Sequence, residues 1–145
     1  MTTYQLACTI GSIDTTAKLG LEIWLDTNQL YNTDHVTDVS LPLTFDLDED
    51  EAAHELRFVM KNKTAEHTQI NETGDIISDA RLTISNLAFD EIALGQMFID
   101  LAVYTHDFNG TQAEAQTKFY GEMGCNGSVS LKFTSPIYLW LLEHL

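Results

Sequence analysis

The chain has 145 residues, 44% of them hydrophobic, with 22 acidic and 7 basic side chains and a formal charge of -15. Size and composition predict one globular domain over residues 1–145 with a core of its own, not a disordered chain. The charge argues against nucleic acid and against an anionic membrane surface, and leaves a soluble surface, a divalent cation or an uncharged polymer such as polysaccharide.

The N-terminal stretch MTTYQLACTIGSIDTT has neither a basic n-region nor an apolar core of signal-peptide length. No segment reaches the ~20 apolar residues of a membrane span. The expectation is synthesis in a cytoplasm, with release by lysis or an unconventional route. In chain order, Tyr4, Leu6, Cys8 and Ile10 alternate with polar or small residues, as on one face of a strand. Gly11 to Gly20 reads as a loop. Leu21, Ile23 and Leu25 mark a second strand, with Trp24 on its polar face, and Thr27-Asn28-Gln29 is turn chemistry. Val39, Leu41, Leu43, Phe45 and Leu47 occupy every second position of a third strand. Pro42 lacks a backbone donor, so that strand belongs at a sheet edge or at a bulge.

Residues 54–95 read as the centre of the molecule. Leu56, Phe58 and Met60 form one strand, and Leu82, Ile84, Leu87 and Phe89 another. A polar excursion of about 18 residues between them is long by the standard of compact domains. The phase of alternation changes at Ser85-Asn86, which predicts a β-bulge. Ile99, Leu101 and Val103 read as a further strand, and residues 106–116 as a loop around Asn109-Gly110. GEMGCNGS reads as a hairpin turn between Phe119-Tyr120 and the run Val129, Leu131, Phe133. The ending SPIYLWLLEHL predicts a short helix with Ser135 as cap, Pro136 in the first turn and Ile137, Trp140, Leu141 and Leu145 on one apolar face. About eight short strands and one terminal helix predict an all-β fold, a β-sandwich or jelly roll.

Chemistry-bearing patterns are sparse. Asp46, Asp48 and Asp50 have the spacing that opens an EF-hand, but Glu51 and Arg57 stand where that motif needs Gly and Glu. A calcium site of another kind, shared between these residues and Asp90, is left open. The five histidines, His67 and His106 in polar stretches among them, show no H-E-x-x-H or H-x-H spacing. No nucleophile motif or phosphate-binding loop is present in the sequence, so catalysis has no support. Trp24 is the best platform for a sugar face, with Tyr104 and His67 near predicted loops. Cys8 and Cys125 allow one disulfide; two buried thiols is the simpler expectation. Four N-x-[ST] triplets, at Asn62, Asn71, Asn109 and Asn126, fall in predicted turns where a glycan could attach.

The segment LRFVMKN, the polar loop, and DARLTISNLAFDEIALG together resemble the centre of calcium-dependent xylan-binding carbohydrate-binding modules. Asn62 matches the Asn that ends the first strand there, and Asp90, Ile92, Leu94 and Gly95 fit the following turn and strand. Lys63 stands where those modules carry an acidic residue, so the resemblance implies the β-sandwich and a sugar ligand rather than the metal. The phrases YTHDFNGTQ, KFYGEMGCNG and SPIYLWLLEHL resemble small virion-type proteins of marine and freshwater tailed phages, cyanophages especially. That likeness implies a virion or virus-encoded structural origin. The apolar ending Ile137 to Leu145 on a very acidic chain adds the expectation of a non-enzymatic protein displayed on a virion or extracellular filament and self-associating through a strand edge and the C-terminal helix, with polysaccharide adhesion as the alternative role.

Overall fold

A computed structural model of the protein describes residues 3–13, 17–64, 68–70, 72–74, 76–106 and 113–144. It is an all-β sandwich of two antiparallel sheets, closed at one end by a C-terminal helix. The strands are β1 (Thr3–Ser12), β2 (Gly20–Leu25), β3 (Asn28–Thr33), β4 (Leu41–Asp48), β5 (Ala53–Lys61), β6 (Thr68–Ile70) and β7 (Ile76–Asp79). They continue with β8 (Leu82–Phe89), β9 (Ile92–Ala93), β10 (Val103–His106), β11 (Ala115–Lys118), β12 (Glu122–Met123) and β13 (Gly127–Thr134). Helices α1 (Gln96–Leu101) and α2 (Ile137–His144) complete the chain.

One sheet has the order β12-β8-β1-β4, with β9 on β8; the other has the order β11-β10-β13-β5-β2-β3. The core lies between them because period-2 alternation turns one face of each strand inward. Tyr4, Leu6, Cys8 and Ile10 of β1 meet Leu56, Phe58 and Met60 of β5 and Val129, Leu131 and Phe133 of β13 in a single cluster. At one end of the sandwich Phe133 stands 5.0 Å from Phe89 and 6.0 Å from Trp140, ring centre to ring centre, in tilted and edge-on packing.

Several sequence expectations are met. β4 is a sheet edge, so the missing donor of Pro42 breaks no ladder on its open side. The β1–β8 register slips between Ala7 and Thr9, and Asn86 adopts φ 54, which is the bulge at the phase change. Ser85 and Asn86 are both exposed there, and Leu87 turns back into the core.

Other expectations are corrected. The strand read from Val39 starts at Leu41, and Val39 is 72% exposed. Asn28 and Gln29, expected in a turn, open an unexpected strand, β3, which pairs with β2 at the sheet edge while the turn sits at Asp26-Thr27; an outer strand needs little apolar surface. The long excursion after β5 carries its own two-stranded hairpin, β6–β7. Ile99 and Leu101 belong to α1, not to a strand, because Phe98 is the residue that reaches the core, 5.4 Å from Phe119. GEMGCNGS is no hairpin turn. β12 pairs with β8 in one sheet and β13 with β10 and β5 in the other, so this segment crosses the sandwich. Ser135 does not cap α2; its Oγ accepts the Asp50 N–H at 3.2 Å and ties the β4–β5 turn to the helix start.

Candidate functional site

The outward face of the six-stranded sheet is built by the residues that alternate with the core. Register alone lines them up. Trp24 lies opposite Arg57, Arg57 opposite Ser130, Ser130 opposite Val103 and Val103 opposite Lys118. The neighbouring row runs Glu22, Val59, Ser128, Thr105 and Gln116. On the other side Glu55 faces Lys132. Five adjacent strands at ~4.8 Å spacing make this face roughly 19 Å across.

Short polar side chains in the middle of the sheet leave a groove of about 510 Å³, lined by Glu55, Arg57, Val103, Thr105, Ser128 and Lys132 among others. At its β2 flank the Arg57 guanidinium carbon stands 5.8 Å from the Trp24 ring centre, a cation–π distance. Trp24 Nε1 donates to Glu22 at 2.9 Å and Gln29 donates to the same oxygen at 3.0 Å, so the indole is fixed in its plane. The Trp24 hydrogen bond, aided by Lys61, holds the Glu22 carboxyl below its ordinary range. Ser130 Oγ donates to Glu55 at 2.8 Å, and Arg57 Nε lies 3.5 Å from the other Glu55 oxygen.

A second constellation adjoins the groove. His54 Nδ1 lies 2.6 Å from Asp26, at the β2–β3 turn, and Nε2 lies 2.7 Å from Asp50, in the β4–β5 turn. Asp26 also accepts the Glu55 N–H at 2.8 Å. Burial by itself would lower the His54 pKa; the hydrogen bonds to Asp26 and Asp50 outweigh it, so the ring is held above its ordinary 6.5. Burial likewise opposes ionisation of Asp26, and its bonds to His54 and the Glu55 N–H outweigh that and hold it below 3.8. The Tyr4 hydroxyl is buried and has no hydrogen-bond partner among the described residues. Burial, then the negative charges of Asp50, Asp26 and Glu49, push its pKa upward. A cavity of about 470 Å³ lined by Asp26, His54, Glu55, Lys132, Phe133 and Trp140 among others joins this cluster to the groove.

Of the expected sugar-binding residues that are described, Trp24 alone stands on this face. Tyr104 is 7% exposed and points into the core, where its hydroxyl donates to the Cys125 carbonyl and accepts the Cys125 N–H at 2.9 Å. Asn62 follows β5 at φ 73, five residues beyond Arg57, with its amide 3.4 Å from the Asp34 carbonyl. His67 lies outside the described residues. The expected metal residues are scattered. Asp46 and Asp48 are exposed on β4, opposite Gln5 and Thr3, while Asp50 is bonded to His54. Asp90 accepts the Gln5 N–H at 2.7 Å and the Tyr138 hydroxyl at 2.6 Å. Among the described residues no three His, Cys, Asp or Glu side chains gather to hold a metal ion. Lys63 is buried with its ammonium 2.5 Å from the Gly124 carbonyl, a cation where the xylan-binding pattern carries an acid.

The expected assembly face is corrected. Ile137, Trp140 and Leu141 are 0%, 4% and 2% exposed, because α2 folds back and plugs the sandwich end with them. Leu145 lies outside the described residues, and the helix instead exposes Leu139 and Leu142. Cys8 and Cys125 are free thiols, and burial pushes the Cys8 pKa up to about 12. Among the triplets, Asn62 is exposed, Asn126 is bonded through both amide atoms to the Lys63 backbone, and Asn71 and Asn109 lie outside the described residues. Sequence reasoning passed over Arg57, Glu55, Ser130 and Lys132. The signal was present as the polar half of two alternating strands, but which strands are neighbours is a tertiary fact.

No family model, curated protein or solved structure matches the chain.

Proposed function

We propose that the protein is a non-enzymatic glycan-binding β-sandwich whose ligand lies along the outward face of the six-stranded sheet. The observation that carries this reading is the Trp24–Arg57 pair flanking a polar groove of about 510 Å³. A sugar ring offers an apolar face and a rim of hydroxyls. An indole locked by Glu22 matches the first, and Ser128, Ser130, Thr105 and Gln116 match the second. A binding role also suits the chemistry of His54. With carboxylates on both ring nitrogens it offers no lone pair for general-base catalysis. In the setting implied by the tailed-phage resemblance, many copies on a virion or filament would attach to host or environmental polysaccharide. Titration of the purified protein with xylan and other plant and algal oligosaccharides, followed by chemical shift changes of the Trp24 indole N–H, tests the proposal. It is repeated with calcium and with a chelator. Absence of any shift across the panel in both conditions sinks it.

A second reading, self-association, is favoured by one observation. Leu139 and Leu142 of α2 are 59% and 70% exposed on an otherwise acidic chain. β4 is an edge of one sheet, and β3 and β11 are the two opposite edges of the other, so each offers an open ladder to a second copy. A single sedimenting monomer at high protein concentration would exclude this second role.

A further inference from the structure

We propose that the groove selects a carboxylate-bearing glycan, a uronic-acid oligomer, with Lys132 as the side chain that anchors the sugar carboxylate; this rests on the glycan-binding reading above.

The starting point is the economy of positive charge. With 7 basic side chains among 22 acidic ones, an exposed ammonium has carboxylates on offer over most of the surface. Most of the basic residues take one. Lys61 lies 3.3 Å from Glu22 and 3.1 Å from Asp34, Arg81 2.5 Å from Glu122, and Lys118 3.2 Å from Asp100. Arg57 leans on Glu55 at 3.5 Å and on the Trp24 ring. Lys18 and Lys132 make no ion pair with a described residue. Lys18 precedes β2 in an open connection, whereas Lys132 lines both the groove and the cavity next to it.

The register makes the case of Lys132 sharper. Glu55 is its direct cross-strand partner, at a position where opposite charges ordinarily pair. Glu55 is instead turned away: one oxygen takes the Ser130 hydroxyl and the other faces Arg57. The groove thus holds two cationic side chains against one carboxylate, and the ammonium of Lys132 is left for a ligand. A sugar carboxylate placed there makes a charge-assisted hydrogen bond, about twice as strong as a neutral one. The neighbouring hydroxyls of Ser128 and Thr105 remain available to the sugar's own hydroxyls. A neutral sugar would fill the same groove and leave the ammonium uncompensated. Beyond contact range the net charge of -15 repels a polyanion, and salt screens that repulsion over about 10 Å at 0.1 M. Selection is therefore made in the groove, at near-physiological ionic strength.

The test titrates short oligogalacturonate and short alginate oligomers, their carboxyl-reduced counterparts and neutral xylan oligomers against the wild type, Lys132→Gln, Lys132→Arg and Trp24→Ala. The acid oligomers are expected to bind, and their reduced forms to bind about ten-fold or more weakly. Lys132→Gln should erase that preference while leaving the melting temperature unchanged, and Lys132→Arg should keep most of it. If reduced or neutral oligomers bind as tightly as the acids and Trp24→Ala weakens them, the glycan reading stands and the acid selectivity is wrong. If the acid preference survives in Lys132→Gln, the anchor is misassigned. If no oligomer binds, both readings fall together.

Discussion

Trp24 and Arg57 are cross-strand partners on β2 and β5, and the guanidinium carbon lies 5.8 Å from the indole ring centre. The pairing is built from both sides. Glu22 holds the indole and Gln29 holds Glu22, while the Asp26 carbonyl, 3.2 Å from Arg57 Nη2, holds the guanidinium. The result is a flat amphipathic ledge beside the groove, set on rigid strands.

Trp24→Ala removes that ledge without opening the core, since the ring is outside the sandwich. The expected loss of stability is within about 1 kcal/mol. Affinity for the oligosaccharide should fall by about ten-fold or more, the equivalent of one lost stacking contact. Calorimetric titration and thermal melting of the same variant separate the two effects. Unchanged affinity would remove Trp24 from the binding face.

The bonds of His54 make stability depend on pH in a stated direction. Its folded pKa is raised, so its contribution is fully present below about 6.5 and fades as pH rises through the folded value. Asp26 acts in the opposite sense: its contribution is present above about 3.8 and fades as pH falls through the depressed folded value. The cluster is at full strength between those limits. The gap in melting temperature between the wild type and His54→Gln should be widest between those limits and should narrow as pH rises through the raised His54 value. Its size is limited to about 1 kcal/mol because Asp26 and Asp50 are 40% and 48% exposed. A gap that stays constant from acid to alkaline pH would mean that His54 acts by packing alone.

The two faces of α2 should respond differently. Trp140→Ala removes a ring wedged between Phe89 and Phe133 and should cost about 3–5 kcal/mol. Leu142→Ser changes an exposed position and should leave stability within about 0.5 kcal/mol. Sedimentation then reads assembly. Loss of oligomers in Leu142→Ser at unchanged melting temperature supports self-association through the outer stripe, and unaltered oligomers would move the contact elsewhere.

Gly127 starts β13 where the backbone of β10 comes close. A Cβ at this position would stand 2.2 Å from the Thr105 carbonyl oxygen. Gly127→Ala forces the two strands apart beneath the groove and should cost about 3 kcal/mol. Denaturant unfolding checks the magnitude. A near-neutral result would show that the β10–β13 ladder yields more readily than its register implies.

Alternation made the largest strands legible. β1, β2, β4, β5 and β13 each carry an unbroken apolar half, β8 carries two apolar runs in opposite phase, and Pro42 and the phase change at Ser85-Asn86 marked an edge and a bulge. Short or polar strands were not legible. β3, β11 and β12 carry too few apolar residues for a period to show, and they form because a neighbouring ladder offers them hydrogen bonds. α1 was misread as a strand because the spacing of Ile99, Leu101 and Val103 imitates a period of two over too few residues to exclude a helical turn.

By itself the sequence determined the all-β class, the inward half of the main strands and the apolar face of the terminal helix. Each follows from the local period of side chains along one segment. Tertiary structure alone decided that this helix face seals the sandwich rather than meeting another copy, and that Tyr104 is core rather than ligand surface. It also decided that Trp24, Arg57, Ser130 and Lys132 share one face. These residues come from strands up to about 100 positions apart in the chain. Only the order and register of the sheet bring them together, and both are set by long-range pairing that no local pattern encodes.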